Sequence, residues 1–265
     1  MIRAVLHIAF RFVEALGIDP PKMLRAICSL PSYLQDLIVI RRQARNSTHP
    51  FVFRGLFPCL HDRYNEGGIA KGQYFHQDLF VARRLFINGA TIHYDVGSRI
   101  DGFVAHVAVY RRINVVDIRP ISSQVQNITF IQADISATIP DRLVNCCDSL
   151  SCLHALEHFG LGRYGDPVDH DGYLRGLNNL HLMLQKGGRF YLSLPIGSQR
   201  IEFNGHRFFN ISYLLLLFES RFRIEHFSYI DDLGDFYENV PLKPEKVSCN
   251  YGCMGGCGIF ELVKL

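Results

Sequence analysis

The chain has 265 residues, enough for one sizeable core and an extension, and its 48% hydrophobic and 20% charged residues are the proportions of an ordinary globular protein. A net charge of +3, with no Lys or Arg run able to track phosphates, excludes nucleic acid as an expected partner. Of the eight cysteines, the adjacent Cys146–Cys147 and Cys152 in an apolar run read as buried reduced thiols, which points to a cytoplasmic setting.

In chain order, residues 1–75 read as a helical N-terminal extension. Arg3, His7, Arg11 and Glu14 recur at steps of four, four and three along the apolar "MIRAVLHIAFRFVEALG". That spacing predicts an amphipathic helix over residues 1–16 that packs on the protein body, with membrane-surface contact as the alternative. Pro20-Pro21 interrupts, and "YLQDLIVIRRQA" is a second helical stretch; no other stretch reads as long and apolar enough to cross a bilayer. Three sequons, at Asn46, Asn127 and Asn210, matter only on a secretory route.

Residues 76–265 carry a different rhythm. "QDLFVARRLFING" predicts a helix stopped at Gly89, and "TIHYDV" a short strand that breaks into glycine at Gly97. "INVVDI", "ITFIQADI" and "SLSCLHAL" are further strands, "FVAHVAVY" a helix between the first two, and "DGYLRGLNNLHLMLQKGG" a helix with Asp171 as its cap and Gly187 as its stop. "RFYLSLPIG" is a fifth strand, and "FRIEHFSYI" and "GIFELVKL" two late ones. The expected fold is α/β: a seven-stranded, mostly parallel, doubly wound Rossmann-like sheet with an antiparallel C-terminal strand pair.

In such sheets ligands bind beyond the carboxyl ends of the strands, where this chain places Asp95, Asp117 and Asp134. The loop "DVGSRIDG" has the glycine spacing of a nucleotide triphosphate loop, but Phe103-Val104 stands where lysine and hydroxyl are needed. Arg99 fills the second glycine position of a dinucleotide loop, and Asp95 would repel a diphosphate. S-adenosylmethionine, cationic and free of phosphate, fits these residues better. Asp95 suits its cationic end, Asp117 its ribose hydroxyls and Asp134 its adenine amino group.

The ordered stretches "HYDVGS", "VVDI", "IQADI", "SLSCLHALEH" and "LQKGGRFYLSLP" resemble the motifs of class I S-adenosylmethionine-dependent methyltransferases over residues 76–265. More narrowly, "YFHQDLFVARRLF", "DVGSRIDGFVAH", "DIRP" and "EHFGLGRYGDPVD" are similar to a domain family of unknown function grouped with them. The resemblance implies cofactor-binding roles for Asp95, Gly97, Ser98, Gly102, Asp117, Ile118, Asp134 and Ile135. The loop departs from the family's [DE]-x-G-x-G-x-G, because Arg99 and Asp101 take two glycine positions and Gly102 comes one step late. Two arrangements fit: a loop that turns Arg99 outward, or a weakened cofactor site.

His154-x-x-Glu157-His158 spells a zinc-peptidase signature, which requires a helix to put both histidines on one face. A strand precedes it, and Gly160, Gly162, Gly165 and Pro167 follow, so the segment is read as a strand exit and no metal is expected there. Glu157 and His158, then His154, are the candidate bases, with Asp166 and His206 behind them. Cys249, Cys253 and Cys257 lie one residue off a radical iron–sulfur spacing and are read as free thiols. The functional expectation is methyl transfer to an unidentified small molecule or glycan; a non-catalytic methyltransferase-like binding or scaffold domain is the alternative.

Overall fold

The computed structural model describes residues 10–49 and 51–265; most of the amphipathic helix expected over residues 1–16, including Arg3 and His7, lies outside them. The chain forms two compact units, residues 1–69 and 70–265. In the first, residues 10–15 are helical, and helix α1 runs over Pro20–Asn46. Pro20-Pro21 opens α1 rather than breaking a helix, because the first turn needs no amide donor, and Lys22 N donates to Asp19 Oδ1 (2.9 Å) as the cap. By length and composition α1 could cross a membrane, which corrects the expectation that no second stretch could.

The second unit contains helix α2 (Gln73–Asn88) and strands β1 (His93–Val96), β2 (Ile113–Asp117), β3 (Ile128–Gln132), β4 (Cys147–Leu153) and β5 (Leu184–Ile196). Short helix α3 (Ala105–Ala108) follows β1, and α4 (Gly172–Met183) precedes β5. Hairpin β6–β7 (Arg200–Glu202, His206–Phe208) and helix α5 (Ile211–Phe218) come next. Strand β8 (Phe222–Ile230), β9 (Phe236–Tyr237), helix α6 (Pro244–Val247) and β10 (Gly256–Lys264) complete the chain. Gly89, at φ 63° in the left-handed region, stops α2 as expected.

The sheet order is β3-β2-β1-β4-β5-β10-β8-β9, parallel through β5 and antiparallel beyond it. The doubly wound sheet with antiparallel late strands is therefore present, but with eight strands rather than seven. The extra one, β9, pairs only Phe236 and Tyr237 with Ile230 and Tyr229, and a Tyr229–Tyr237 ring stack at 4.6 Å secures it. Two apolar cores cover the two faces, one around Leu150, Leu192 and Phe260, the other around Val81, Phe103 and Val115. The strand order reverses between β1 and β4, so their carboxyl ends open a crevice.

Two expectations about α4 are corrected. Asp171 occupies the cap position, but its side chain makes no cap bond and instead meets His170 Nδ1 (2.7 Å). The helix ends at Met183, ahead of Gly187, which lies inside β5 at φ 75°. The ammonium of Lys264 stops it instead, donating to the carbonyls of His181 (2.7 Å) and Leu184 (2.6 Å).

Candidate functional site

At the end of β1 the Asp95 carboxylate is wholly buried and accepts from Ser98 N (3.2 Å), Ser98 Oγ (2.6 Å) and Ser151 Oγ (2.5 Å). Burial raises its pKa to about 6 despite those donors. The other ring in this network, His93, lies 2.8 Å from Ser149 Oγ and 3.1 Å from Ser151 Oγ, and burial lowers its pKa to about 3. Asp95 and Ser98 thus brace the loop from within and do not face open space.

Gly97 sits at φ 72° with its amide on Val116 O (3.0 Å), and a Cβ there would lie 2.8 Å from Ala155 Cβ. A Cβ on Gly102 would run into the carboxylate of Asp78, which reaches across from α2. Asp78 is buried, accepts from Gln77 Nε2 (2.9 Å), and has a pKa raised by burial. Gln77 Oε1 accepts from Ser193 Oγ, which in turn accepts from His154 N (3.0 Å). Sequence reasoning missed this relay between the glycine loop and β4, since Gln77-Asp78 read only as the polar face of a helix.

Of the two arrangements open for Arg99, the structure shows the outward one. Its side chain is 55% exposed, pairs with Asp101 (2.8 Å), and lies 5.2 Å over the Tyr74 ring.

The next two strand ends line an open cleft through Gly97, Asp117, Ile118, Asp134 and Ile135, to which His158, Tyr164 and Asp166 also contribute. Asp117 accepts from Arg119 N (2.8 Å), Nε (3.0 Å) and Nη2 (2.8 Å), and the Arg119 guanidinium stacks 4.3 Å over Tyr164. Asp134 Oδ1 accepts from Ser136 N (2.8 Å) and Oγ (2.6 Å), leaving Oδ2 for a ligand. A carboxylate offers roughly four acceptor directions, so Asp117 retains about one.

Beyond β4, His154 takes a left-handed conformation (φ 50°), and Leu156–His158 form a single 3-10 turn, not the long helix of a zinc peptidase. His154 Nδ1 meets Glu157 Oε1 at 2.9 Å. Burial opposes charge on both, but Cys257 and Glu157 beside His154 raise its pKa, and His154 lowers that of Glu157, so the two form a buried ion pair. His158 differs. Its Nδ1 donates to Gly205 O (2.7 Å), burial lowers its pKa, and its Nε2 stands 3.8 Å from Glu157 Oε1.

His154 Nε2, Glu157 Oε2, His206 Nε2 and Arg207 Nε are among the buried polar atoms of the described residues that have no hydrogen-bond partner. Asp166 holds the following loop by accepting from Gly160 N (2.8 Å), Gly162 N (3.2 Å) and Tyr164 N (3.1 Å). Arg207, unmarked in the sequence, is 4% exposed and donates to the carbonyls of Glu157 (3.3 Å), Phe159 (2.6 Å), Asp169 (3.3 Å) and His170 (2.9 Å). It pins both ends of that loop.

Residues 115–235, less than half of the chain, match the family model described as Caenorhabditis protein of unknown function, DUF268. No curated protein matches. Among solved structures the chain is similar to Burkholderia thailandensis 1,6-didemethyltoxoflavin-N1-methyltransferase with S-adenosylhomocysteine (14% identity, TM-score 0.48, 71% of this chain and 78% of that one). It is also similar to the N-methyltransferase NodS of Bradyrhizobium japonicum with S-adenosylhomocysteine (11%, TM-score 0.48, 73% and 88%). The [4+2]-cyclase SpnF is a third (15%, TM-score 0.49, 71% and 80%).

Proposed function

We propose that the chain is an S-adenosylmethionine-dependent methyltransferase whose acceptor is a small molecule or glycan bearing a hydroxyl or amine, with His158 as general base. The observation that supports this most is a cleft carrying carboxylates from two successive strand ends with His158 also lining it. The residues present fit the cofactor: Asp134 Oδ2 suits an adenine amino group, Asp117 keeps room for one ribose hydroxyl, and no lysine sits where a phosphate would need one. When bound, the cofactor would supply a sulfonium-activated methyl group. The chain would hold the acceptor in line and take its proton.

Three buried groups divide that second task. A general base must be unprotonated, which favours His158: its Nδ1–H is fixed on Gly205 O and its pKa is lowered, so Nε2 keeps a lone pair at neutral pH. His154, with its raised pKa, serves as a positioning cation for Glu157.

Calorimetry with S-adenosylhomocysteine tests the cofactor: micromolar binding is expected, about tenfold weaker in Asp117→Ala from loss of one hydrogen bond to a charged group. No binding by folded protein sinks the proposal. With an acceptor from a panel, His158→Gln lowers the methyl-transfer rate by about 10²–10⁴ while cofactor affinity stays. The bidentate hold of Arg119 on Asp117 favours a second reading, a non-catalytic binding domain. Transfer that is lost in His158→Gln would refute it.

A further inference from the structure

The strongest feature outside the cleft is α1. On a helix of 3.6 residues per turn, Met23, Leu24, Ile27, Leu30, Leu34 and Ile38 fall within one stripe about 120° wide. All six are exposed, Ile27 to 60% and Ile38 to 53%. The opposite face carries Ser29, Tyr33 and Asp36, with the exposed Ile40 among them, and the unit's own chain meets it: Cys59, Leu60 and Arg63 line a small cavity with those three, and Arg63 pairs with Asp36 at 2.6 Å. The stripe itself runs on at its C-terminal end into Arg41, Arg42 and Arg45, and no acidic residue falls on it.

We infer that α1 lies flat on an anionic lipid surface, its apolar stripe in the interface and its three terminal arginines on the headgroups. This rests on charge complementarity and does not depend on the proposed activity. A row of arginines continuing an apolar stripe suits a surface that changes from acyl chain to anionic headgroup over a few ångströms, because the long side chains reach up to the phosphates. Lying flat is favoured over spanning. Arg25 and Asp36 fall within the apolar stretch, and the chain packed on its polar face through Arg63 could not follow it into hydrocarbon.

The test is co-sedimentation of the intact protein with phosphatidylcholine vesicles, with and without about 30 mol% phosphatidylserine as the anionic lipid. Binding to the anionic vesicles alone is expected. Reversing Arg41, Arg42 and Arg45 to Glu together lowers the partition coefficient by roughly two orders of magnitude, and Ile38→Asp lowers it comparably. Bound protein should be released at alkaline pH. Failure of folded protein to bind, indifference to the arginine reversal, or retention after alkaline extraction each overturns the inference. So does a change of oligomeric state in Ile38→Asp without vesicle binding by the parent chain, since the stripe would then belong to a second copy.

Discussion

The carboxyl ends of β1 and β4 lie side by side, yet they handle buried polarity in opposite ways. Around β1, His93, Ser151, Asp95 and Ser98 form a closed chain in which the carboxylate and both ring nitrogens have partners. Around the β4 exit, His154, Glu157 and the neighbouring His206 each keep a buried polar atom without one. Unsatisfied buried groups are costly, so a fold tolerates them where a ligand can complete them. On that ground the first region is built as scaffold, and the second has the free polar atoms a ligand could use, although titratable side chains occur in both.

The largest effect that could break this contrast concerns the pin beneath the β4 exit. Arg207→Met keeps the side chain's apolar bulk but removes the donors to four carbonyls, of which Asp169 O keeps the amide of Gly172 (3.1 Å) while Glu157 O and Phe159 O lose theirs. We expect a loss of about 4 kcal/mol in stability by denaturant unfolding, since each buried acceptor left without its donor costs roughly 1–3 kcal/mol. A change under 1 kcal/mol would mean the loop is held by Asp166 alone.

The scaffold end makes a pH prediction with two opposing signs. His93 stays neutral down to about pH 3 when folded but takes a proton near its ordinary 6.5 when unfolded, so it costs stability as pH falls through that window. Asp95 ionises near 6 when folded and near 3.8 when unfolded, so stability is recovered as pH falls from 6 to 3.8. The two largely cancel in the native chain. In His93→Gln only the Asp95 contribution remains, and its stability relative to the parent should rise by about 3 kcal/mol between pH 7 and pH 4, each pKa unit being worth about 1.4 kcal/mol. Parallel stability curves for the two proteins would show that the network does not hold these ionisation states.

Much of this was legible in the sequence. Period and glycine punctuation located β1 through β5 and the stop at Gly89, because each depends on local pattern. The strand-end acids were legible as a register, but not which would face the cleft: Asp95 turns inward to Ser98 and Ser151, whereas Asp117 and Asp134 line open space. That difference depends on strands far apart in the chain. Lys264 stopping α4 from 80 residues away, Gln77-Asp78 bracing the glycine loop and Arg207 spanning the exit loop were invisible for the same reason. β9 is too short to carry any periodicity.

The smallest effect sharpens the comparison at the cleft itself. Arg119 is half exposed, and an ion pair so placed contributes little stability, so removing it should leave the fold unchanged. Its consequence for binding is more informative. If Arg119 merely competes with a ribose hydroxyl for Asp117, Arg119→Ala frees acceptor capacity and S-adenosylhomocysteine binds about threefold more tightly, the scale of one weak hydrogen-bond exchange. If the guanidinium, held on Tyr164, is instead a wall of the ligand pocket, the same substitution weakens binding by about tenfold through lost stacking. The second result would move Arg119 from competitor to contact. It would also place β2's end with the receptive surface, leaving β1 alone as scaffold.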